Sequence, residues 1–464
     1  MKKNFSENNT YFFIFSILSS LLIFFNFFTN ELINLELFFY SIILIFIILV
    51  FVFYFIILKE VKFYQFNVIF NLYFLVSFLI FLYFFDYIFN EIYPFFAGTV
   101  KELTLEEFLS YSIKATIILI FTILFLNLGF LTSYLILKKK KIDLLPNLSN
   151  IEFIRLNFFL FLIKLIFVLL NANYNIRIPQ IENPLSILIA IISFYCLFFY
   201  KKDKFLNFII ISFIFVENIF TTLALYKNLI LLLIFFIIVF NIKNKISVSI
   251  LILLFSWTIF GQSVKNNVRI VLANYYNIGD TIVYGGEIQE TSESFIEARP
   301  IILRSIEPIL SLIRVVEFDE KGKLEKKDTL SILKYSFIPR LIFPDKPKQN
   351  YAAWYTDYFF DLYDDPKFSE NYVTYNISWV TDLYLNQKYL GSTLLSFILG
   401  FFLCTFLILF VNSNLNNLSF LFGLSVISGI SIPDYNISLM LSPLFLQFLF
   451  LMIILKIILK IIRK

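Results

Sequence analysis

Arginine is concentrated in one polar stretch of this chain, residues 262–389. The stretch interrupts an otherwise apolar sequence and holds five of the eight arginines: Arg269, Arg299, Arg304, Arg314 and Arg340. Guanidinium groups are planar and bind oxyanions with a bidentate geometry that lysine does not match. The concentration therefore predicts a site for an anionic ligand, and surface ion pairing is the alternative interpretation for any single arginine.

Further basic residues and prolines extend this predicted anion site. Lys265 lies four residues before Arg269, which would place both side chains on one face of a helix. Arg340 and Lys346 lie in the proline-rich segment 336–347. Because prolines fix the backbone, they lower the entropy that is lost when a cation is held in place. The alternative is a proline-rich turn that only shapes the loop.

Carboxylates are the candidates for a general base, because the chain contains no histidine. Asp382 is the first candidate, since it lies where the polar stretch returns to apolar sequence, and Glu307 and Asp345 compete with it. Each of the three could instead pair with a loop arginine. The lack of histidine excludes His-ligated metals, and Cys196 and Cys404 both lie in apolar runs. The sequence therefore predicts no metal and no cofactor.

The elements that must position these residues are membrane helices. Hydrophobic residues make up 59% of the 464 residues and charged residues 15%, whereas soluble domains carry about a quarter charged residues. Apolar runs of roughly 17–25 residues recur along the chain, and each is long enough to cross a bilayer as a helix. The composition predicts an all-α, polytopic membrane protein in the lipid bilayer, and it gives no reason to expect nucleic acid as a partner.

Twelve transmembrane helices are predicted from the apolar runs. They cover residues 11–28, 37–58, 66–89, 112–137, 151–171, 184–200, 205–225, 228–242, 246–261, 390–411, 418–434 and 438–460. Alternate connections are rich and poor in lysine, which places both termini in the cytoplasm and the 262–389 loop outside. The predicted organisation is nine helices in residues 1–261, the outer loop with short interfacial helices in residues 262–389, and three helices with a cytoplasmic tail in residues 390–464.

The outer loop contains one segment with a helical apolar pattern, Glu293 to Phe318. The pattern is typical of a helix that lies on the membrane surface. Pro300 and Pro308 predict that this helix is broken into short pieces, because proline removes a backbone donor and clashes with the preceding turn.

Two lysines lie within or beside apolar runs. Lys164 falls in the fifth predicted helix, where a charge is costly in lipid, so its side chain is expected to face protein or water or to snorkel. Lys227 lies at the tight connection between the seventh and eighth predicted helices. That connection is on the predicted outer side, where Lys227 could join the anion site.

Four segments of the chain carry short motifs. Phe337-Ile-Pro-Arg-Leu-Ile-Phe-Pro-Asp-Lys-Pro347 is similar to a Pro-Arg pair followed by Trp/Phe-Pro-x-Lys-Pro. Thr381-Asp-Leu-Tyr-Leu-Asn386, with Gly391 and Gly400 after it, is similar to Glu-x-Tyr-x-Asn-Phe-Gly-x-x-Gly. The other two segments are Tyr226-Lys227, in the place of a Gly-Ser-Arg, and the basic stretch from Lys265 to Arg269. In these places the chain resembles the Wzy-type oligosaccharide repeat-unit polymerases, the polymerases of O-antigen and capsule.

The chain departs from the pattern of that family at three places. Lys227 stands where the family has arginine, and Asp382 stands where it has glutamate. The residues Gln387-Lys388-Tyr389 take the place of the usual Phe-Gly pair. If a bidentate cation is required at position 227, this chain must bind phosphate in a different way.

The resemblance implies a reaction on the periplasmic face of the bacterial inner membrane. The growing glycan would leave its undecaprenyl-pyrophosphate carrier and join the non-reducing sugar of a new lipid-linked repeat unit, with a chain-length regulator and a flippase as protein partners. The catalytic residues implied are Arg269, Arg340 and Asp382. The substrate-binding residues implied are Lys227, Lys265, Asp345, Lys346, Tyr384 and Asn386, and the arginine concentration in the loop adds Arg304 to the predicted substrate-binding residues.

Three other functions of polytopic membrane proteins fit this chain less well. An O-antigen ligase is expected to carry a functional histidine in its large outer loop, and this chain has none. A GT-C type transferase is expected to carry its catalytic acid in the first outer loop, which is very short here. A polysaccharide transporter would show internal repeats and a midplane site, and no repeat is found in the sequence.

Overall fold

Helices are the only regular secondary structure in the residues that the computed structural model describes. Those residues are 35–57, 64–94, 103–137, 145, 148–174, 179–199, 204–221, 298–325, 328–332, 335, 343, 352–360, 377–411, 418–428 and 437–463. The prediction of an all-α fold is confirmed for this part of the chain.

Many of the described helices coincide with predicted apolar segments, whereas α8, α9 and most of α10 lie in the predicted outer loop. In chain order they are α1 (Leu35–Ile57), α2 (Tyr64–Tyr83), α3 (Phe85–Ile92), α4 (Leu105–Leu137), α5 (Asn150–Tyr174), α6 (Pro179–Phe199), α7 (Lys204–Thr221), α8 (Ala298–Glu320), α9 (Ala352–Phe360), α10 (Trp379–Leu390), α11 (Ser396–Val411), α12 (Leu418–Ser428) and α13 (Ile437–Ile462). The predicted segments 11–28, 228–242 and 246–261 lie outside the described residues.

Three described helical stretches are long and apolar enough to cross a membrane, judged by length and composition. They are Leu105–Leu137, Ile151–Leu170 and Trp379–Ile408. A fourth is formed if α2 and α3 are counted as one span, although the helical axes of Tyr73–Tyr83 and Phe85–Ile92 differ by 76°. The structure therefore supports a membrane protein, and the count of twelve spans stays a prediction.

Capping boxes explain where α4 and α5 begin. Thr104 Oγ1 accepts a hydrogen bond from the Glu107 amide at 3.3 Å, and Glu107 Oε2 accepts one from the Thr104 amide at 3.0 Å. Ser149 and Glu152 form the same reciprocal pair at the start of α5, at 3.4 and 2.7 Å. Each box satisfies two backbone N–H groups that a helix terminus leaves without partners.

Helices α4 and α11 are in close backbone contact. A Cβ atom built on Gly129 would lie 2.0 Å from the carbonyl oxygen of Phe397, and one built on Gly400 would lie 2.0 Å from that of Leu126. Further along both helices, Ser133 Oγ lies 2.9 Å from Thr405 Oγ1. Small residues permit this backbone approach, which is the means by which helices associate in lipid.

Asparagines join the other helices inside the bundle. The side-chain amides of Asn71 in α2 and Asn127 in α4 exchange hydrogen bonds of 3.0 and 2.9 Å. Asn157 in α5 donates to Ser193 Oγ and to Asn207 Oδ1, both at 2.8 Å. Lys164 in α5 is also buried, with 2% of the residue exposed. Of the alternatives predicted for Lys164, burial against protein is the one that the structure shows.

Helix α8 is an internal helix over its second half. Residues Ile306 to Glu317 are all buried, although this run includes Glu307 and Arg314. The helix is continuous through Pro308, so the predicted break at this proline is wrong. Pro300 lies in the first turn, where a missing N–H is tolerated. At Pro308, packing on every side holds the helix together across the lost backbone hydrogen bond.

Two contacts form at the N-terminal ends of α4 and α13. Lys114 Nζ lies 2.6 Å from Glu320 Oε2 at the end of α8. The Ile437 amide, at the first residue of α13, donates to Asp382 Oδ2 at 2.9 Å. Segments 298–320, 379–390 and the start of α13 therefore meet at one end of the bundle.

Two other contacts form at the C-terminal ends of the same helices. Beyond α4, the Leu145 amide donates to Ser419 Oγ at 2.8 Å, at the start of α12. Beyond α13, Arg463 Nε lies 3.6 Å from Glu152 Oε1 at the start of α5. Because α4 has 33 residues and is about 50 Å long, these contacts are at the opposite end of the bundle.

Candidate functional site

The C-terminal end of α8 is the centre of a cluster of charged and tyrosine side chains, which we call the polar junction. The cluster connects α8 to α4, α10 and the residue after α3. Its members are Tyr93, Lys114, Arg314, Glu317, Asp319, Glu320, Lys321, Tyr384 and Lys388.

Arg314 is fully buried in the polar junction, and its side chain is held by contacts within the protein. Its Nε and Nη2 atoms donate to the carbonyl oxygen of Phe359 in α9 at 3.0 and 2.7 Å, and its Nη1 atom donates to Glu317 Oε2 at 2.6 Å. The guanidinium carbon lies 4.7 Å from the centroid of the Phe318 ring. For this arginine, ion pairing inside the protein is the correct interpretation.

Glu317 is the carboxylate that the junction surrounds most completely. Besides Arg314, Tyr93 donates its hydroxyl hydrogen to Glu317 Oε2 at 2.6 Å, and Lys321 Nζ lies 2.7 Å from Oε1. Burial raises the pKa of Glu317, but Arg314, then Lys321 and Tyr93, outweigh burial and hold the pKa below its usual value. The residue is therefore a fixed negative charge that joins α8 to the end of the bent α2–α3 pair.

Three acidic residues at the C-terminus of α8 oppose the helix dipole. Glu317, Asp319 and Glu320 lie where the helix end carries a partial negative charge, which favours cations. Each has a cation within 2.8 Å, and two of these cations belong to other helices: Lys388 for Asp319 and Lys114 for Glu320. Tertiary contact, and not helix stability, therefore explains these acids.

Asp382 lies beside the junction at the start of α10 and is fully buried. Its Oδ1 atom accepts hydrogen bonds from the Thr329 hydroxyl and from Asn386 Nδ2, the latter at 3.1 Å. Its Oδ2 atom accepts from the Ile437 amide at 2.9 Å, so the carboxylate satisfies the first backbone donor of α13. In this arrangement Asp382 holds three segments together.

Asn386 completes the cluster around Asp382. Its Oδ1 atom accepts from the amides of Thr329 and Leu330 at 3.0 and 3.3 Å, and its Nδ2 atom donates to the Asp382 carbonyl oxygen at 2.7 Å. The spacing of four residues places Asp382 and Asn386 on one face of α10. Tyr384 faces elsewhere and donates to Asp319 Oδ2 at 2.7 Å.

The chain bends sharply directly after this cluster. Gln387 and Lys388 have non-helical backbone angles, and Lys388 has φ 50° and ψ −133°. Gly391 then packs on the preceding helix, because a Cβ atom at this residue would lie 1.9 Å from the Leu383 carbonyl oxygen. The predicted start of the tenth span at residue 390 therefore coincides with a π-helical turn, Gly391–Leu395, and helical structure begins earlier, at Trp379.

An Asp382→Asn substitution is expected to destabilise the fold by about 1–3 kcal/mol, the cost of an unsatisfied buried donor. Both carboxylate oxygens accept hydrogen bonds. In asparagine an NH2 group replaces one of these oxygens, so a donor would face that NH2 group and lose its acceptor. The matched control is Asp328→Asn, where the carboxylate is exposed and accepts from the Ser331 amide at 2.9 Å. Unfolding of the detergent-solubilised protein in denaturant measures both, and equal stability of the two variants would contradict the structural role.

The structure brings three of the predicted site residues into one region. Asp382 and Asn386 contact each other, and Tyr384 reaches the polar junction from the same helix. Arg304 lies within α8, and only its backbone is described. The remaining predicted site residues lie outside the described residues: Lys227, Lys265, Arg269, Arg340, Asp345 and Lys346.

The partners of several residues in this cluster were not predicted from the sequence, although Arg314 was named among the clustered arginines. Arg314, Glu317 and Lys321 have the three- and four-residue spacings of helical ion pairs, so a helix assigned through Pro308 would have revealed them. Tyr93 gave no local signal, because it meets Glu317 from a distance of 224 residues in sequence. Thr329 likewise meets Asp382 from outside its helix.

Neither family models, nor curated proteins, nor solved structures gave a match to this chain.

Proposed function

We propose that this chain is a membrane glycosyltransferase that polymerises undecaprenyl-pyrophosphate-linked oligosaccharide repeat units on the periplasmic face of the bacterial inner membrane. The proposal follows the family resemblance of the sequence and the concentration of arginine in residues 262–389. Arg269 and Arg340 would stabilise charge that develops on the pyrophosphate leaving group, with Lys265 and Lys346 beside them.

The observation that carries the proposal is the structural role of the motif from Thr381 to Gly400. Asp382 anchors the segment to the start of α13, and Asn386 anchors it to the backbone at Thr329 and Leu330. Gly391 and Gly400 each lie against a backbone carbonyl. Lys388 has a backbone conformation that glycine adopts readily, in the place where the family carries its Phe-Gly pair. The residues that resemble the family are thus residues that hold the segment around this bend in place.

The grouping of the helix ends gives separate support. Segments expected on the outer side, including 298–320, 379–390 and the start of α13, contact one another at one end of the bundle. Segments expected in the cytoplasm, at Leu145 and Arg463, make their contacts at the opposite end. The lysine pattern of the connections predicts the same two groups, one on each side of the membrane.

Arg269→Lys and Arg340→Lys are each expected to lower the yield of long-chain polysaccharide by about tenfold or more, because charge is kept and the bidentate donor geometry is lost. The assay is complementation of a strain that lacks its repeat-unit polymerase, read as the glycan ladder. Arg155→Lys is the matched control, since Arg155 is exposed on α5 and is expected to leave the ladder unchanged.

Membrane-inserted protein must be quantified for every variant, so that loss of activity is separated from loss of protein. Wild-type protein that inserts normally and yields no ladder, with any lipid-linked repeat unit supplied by the host, would contradict the polymerase proposal. Normal ladders from both arginine variants would leave the polymerase in place and remove the phosphate-binding role of those two residues.

A further inference from the structure

Lys388 combines a strained backbone with a paired side chain. It is the single non-glycine residue with positive φ among the described residues, at φ 50° and ψ −133°. An L-residue with a side chain rarely adopts this conformation, and such strain persists only where neighbouring contacts impose it. The contacts around Lys388 therefore identify what holds the bend between α10 and the helix that follows.

The Asp319 carboxylate contacts α10 just before the bend and the bend residue Lys388 itself. Its Oδ1 atom lies 2.8 Å from Lys388 Nζ, and its Oδ2 atom accepts the Tyr384 hydroxyl hydrogen at 2.7 Å. The side chain of Asp319 is 14% exposed and that of Lys388 is 54% exposed. An ion pair so open to solvent is a weak contact, and its strength is comparable to or less than the strain that it opposes.

Gly391 makes the bend compact but adds no covalent or ionic restraint. The Gly391 amide donates to the carbonyl oxygens of Gln387 and Lys388, and its Cα lies against the backbone of Leu383. The helical turn from Gly391 is a π-helix, a form that is often found at functional positions. The charge-dependent contact at this bend is thus the ion pair between Asp319 and Lys388.

We propose that residues 387 and 388 form a hinge between α10 and the following helix. The contacts of Asp319 with Lys388 and Tyr384 keep this hinge closed. In the closed state α10 carries Asp382 into its buried contact with the Ile437 amide. Opening would separate α10 from α13 and from the segment at Thr329, and would uncover the Asp382 carboxylate. The consequence that Asp382 then reaches a substrate rests on the proposed function, whereas the hinge is tested without substrate.

Backbone amides report the closed state directly. The amides of Thr329 and Leu330 donate to Asn386 Oδ1, and the amide of Ile437 donates to Asp382 Oδ2. All three acceptors belong to α10, so opening of the hinge exposes three amides from separate parts of the chain together. Their hydrogen–deuterium exchange rates follow the population of the open state.

The experiment compares the full-length protein in detergent with Asp319→Asn, Lys388→Ala and Lys388→Gly by hydrogen–deuterium exchange. Asp319→Asn removes the charge and keeps an acceptor for Tyr384, and Lys388→Ala removes the ion pair and keeps the strain. Both are expected to raise exchange at the three amides by about two- to fivefold. Lys388→Gly also removes the ion pair but relieves the strain, so its exchange is expected to be at least about fivefold slower than that of Lys388→Ala.

Lys388→Arg keeps both the charge and the strain and is expected to exchange as the wild type does. Amides of α4 around Gly129, which do not contact α10 side chains in this way, provide the internal reference. Equal exchange in Lys388→Ala and Lys388→Gly would overturn the proposal, because strain would then play no part. Unchanged exchange in Asp319→Asn would overturn it too, since the carboxylate charge would then not keep the hinge closed.

Discussion

An Arg314→Leu substitution is expected to destabilise the protein by about 3–5 kcal/mol, the typical cost of breaking a buried ion pair from one side. The change leaves the Glu317 carboxylate, which is 1% exposed, without its closest cation, and removes both donors from the Phe359 carbonyl oxygen. Leucine fills much of the volume, so lost charge compensation is the main effect. Denaturant unfolding of the detergent-solubilised protein measures the difference.

The chain supplies a matched control in a second arginine–glutamate pair. Arg463 Nε lies 3.6 Å from Glu152 Oε1, and the two side chains are 46% and 26% exposed. Exposed pairs contribute about 0–1 kcal/mol, so Arg463→Leu is expected to change stability very little. Adding Glu317→Gln to Arg314→Leu should restore part of the loss, because it removes the buried charge that Arg314 compensated in addition to Lys321. If the Arg314→Leu variant were as stable as the Arg463→Leu variant, the role assigned to the buried pair would be wrong.

The positions of the helices were predictable because the physics that sets them is local. An apolar run that is bounded by polar residues satisfies its own backbone as a helix and needs no partner to define its ends. The run predicted at 151–171 is the helix Asn150–Tyr174, and the run predicted at 37–58 is Leu35–Ile57. Ser149 and Glu152, whose spacing is that of a capping box, set the start of the former.

Prediction was wrong where packing overrides a local preference. Pro308 was expected to break its helix, and the helix continues through it because residues 306–317 are enclosed by neighbouring helices. The same enclosure gives the residues around it a role that the sequence pattern of a surface helix did not indicate. Arg314, one of the clustered arginines, is thereby committed to Glu317 and to a backbone carbonyl.

The site was predictable in its residues more than in their partners. Asp382 and Asn386 were identified by their spacing and by their place before an apolar run, and they are in contact. Their partners, Thr329 and Ile437, lie about 55 residues away in each direction. Contacts of this kind arise from tertiary packing and have no local periodicity, so a single sequence carries no sign of them.

Gly129→Ala and Gly400→Ala are each expected to destabilise the protein by about 3 kcal/mol, the upper part of the range for overpacked sites. In each case the new Cβ atom would lie 2.0 Å from a backbone carbonyl oxygen, of Phe397 or of Leu126. A carbonyl cannot rotate away as a side chain does, so α4 and α11 must separate. Separation would also lengthen the contact between Ser133 and Thr405, now 2.9 Å.

Gly322→Ala is the matched control for both substitutions. Gly322 has φ 65°, and a Cβ atom there meets no other atom within 4 Å, so the change costs only the backbone strain, about 1 kcal/mol. Thermal unfolding of the detergent-solubilised protein should rank the two helix-contact variants well below this control. A Gly129→Ala, Gly400→Ala double variant should cost less than the sum of the two, since one separation of α4 from α11 relieves both clashes. Additive losses, or losses no larger than that of Gly322→Ala, would mean that the two glycines are not in one shared backbone contact.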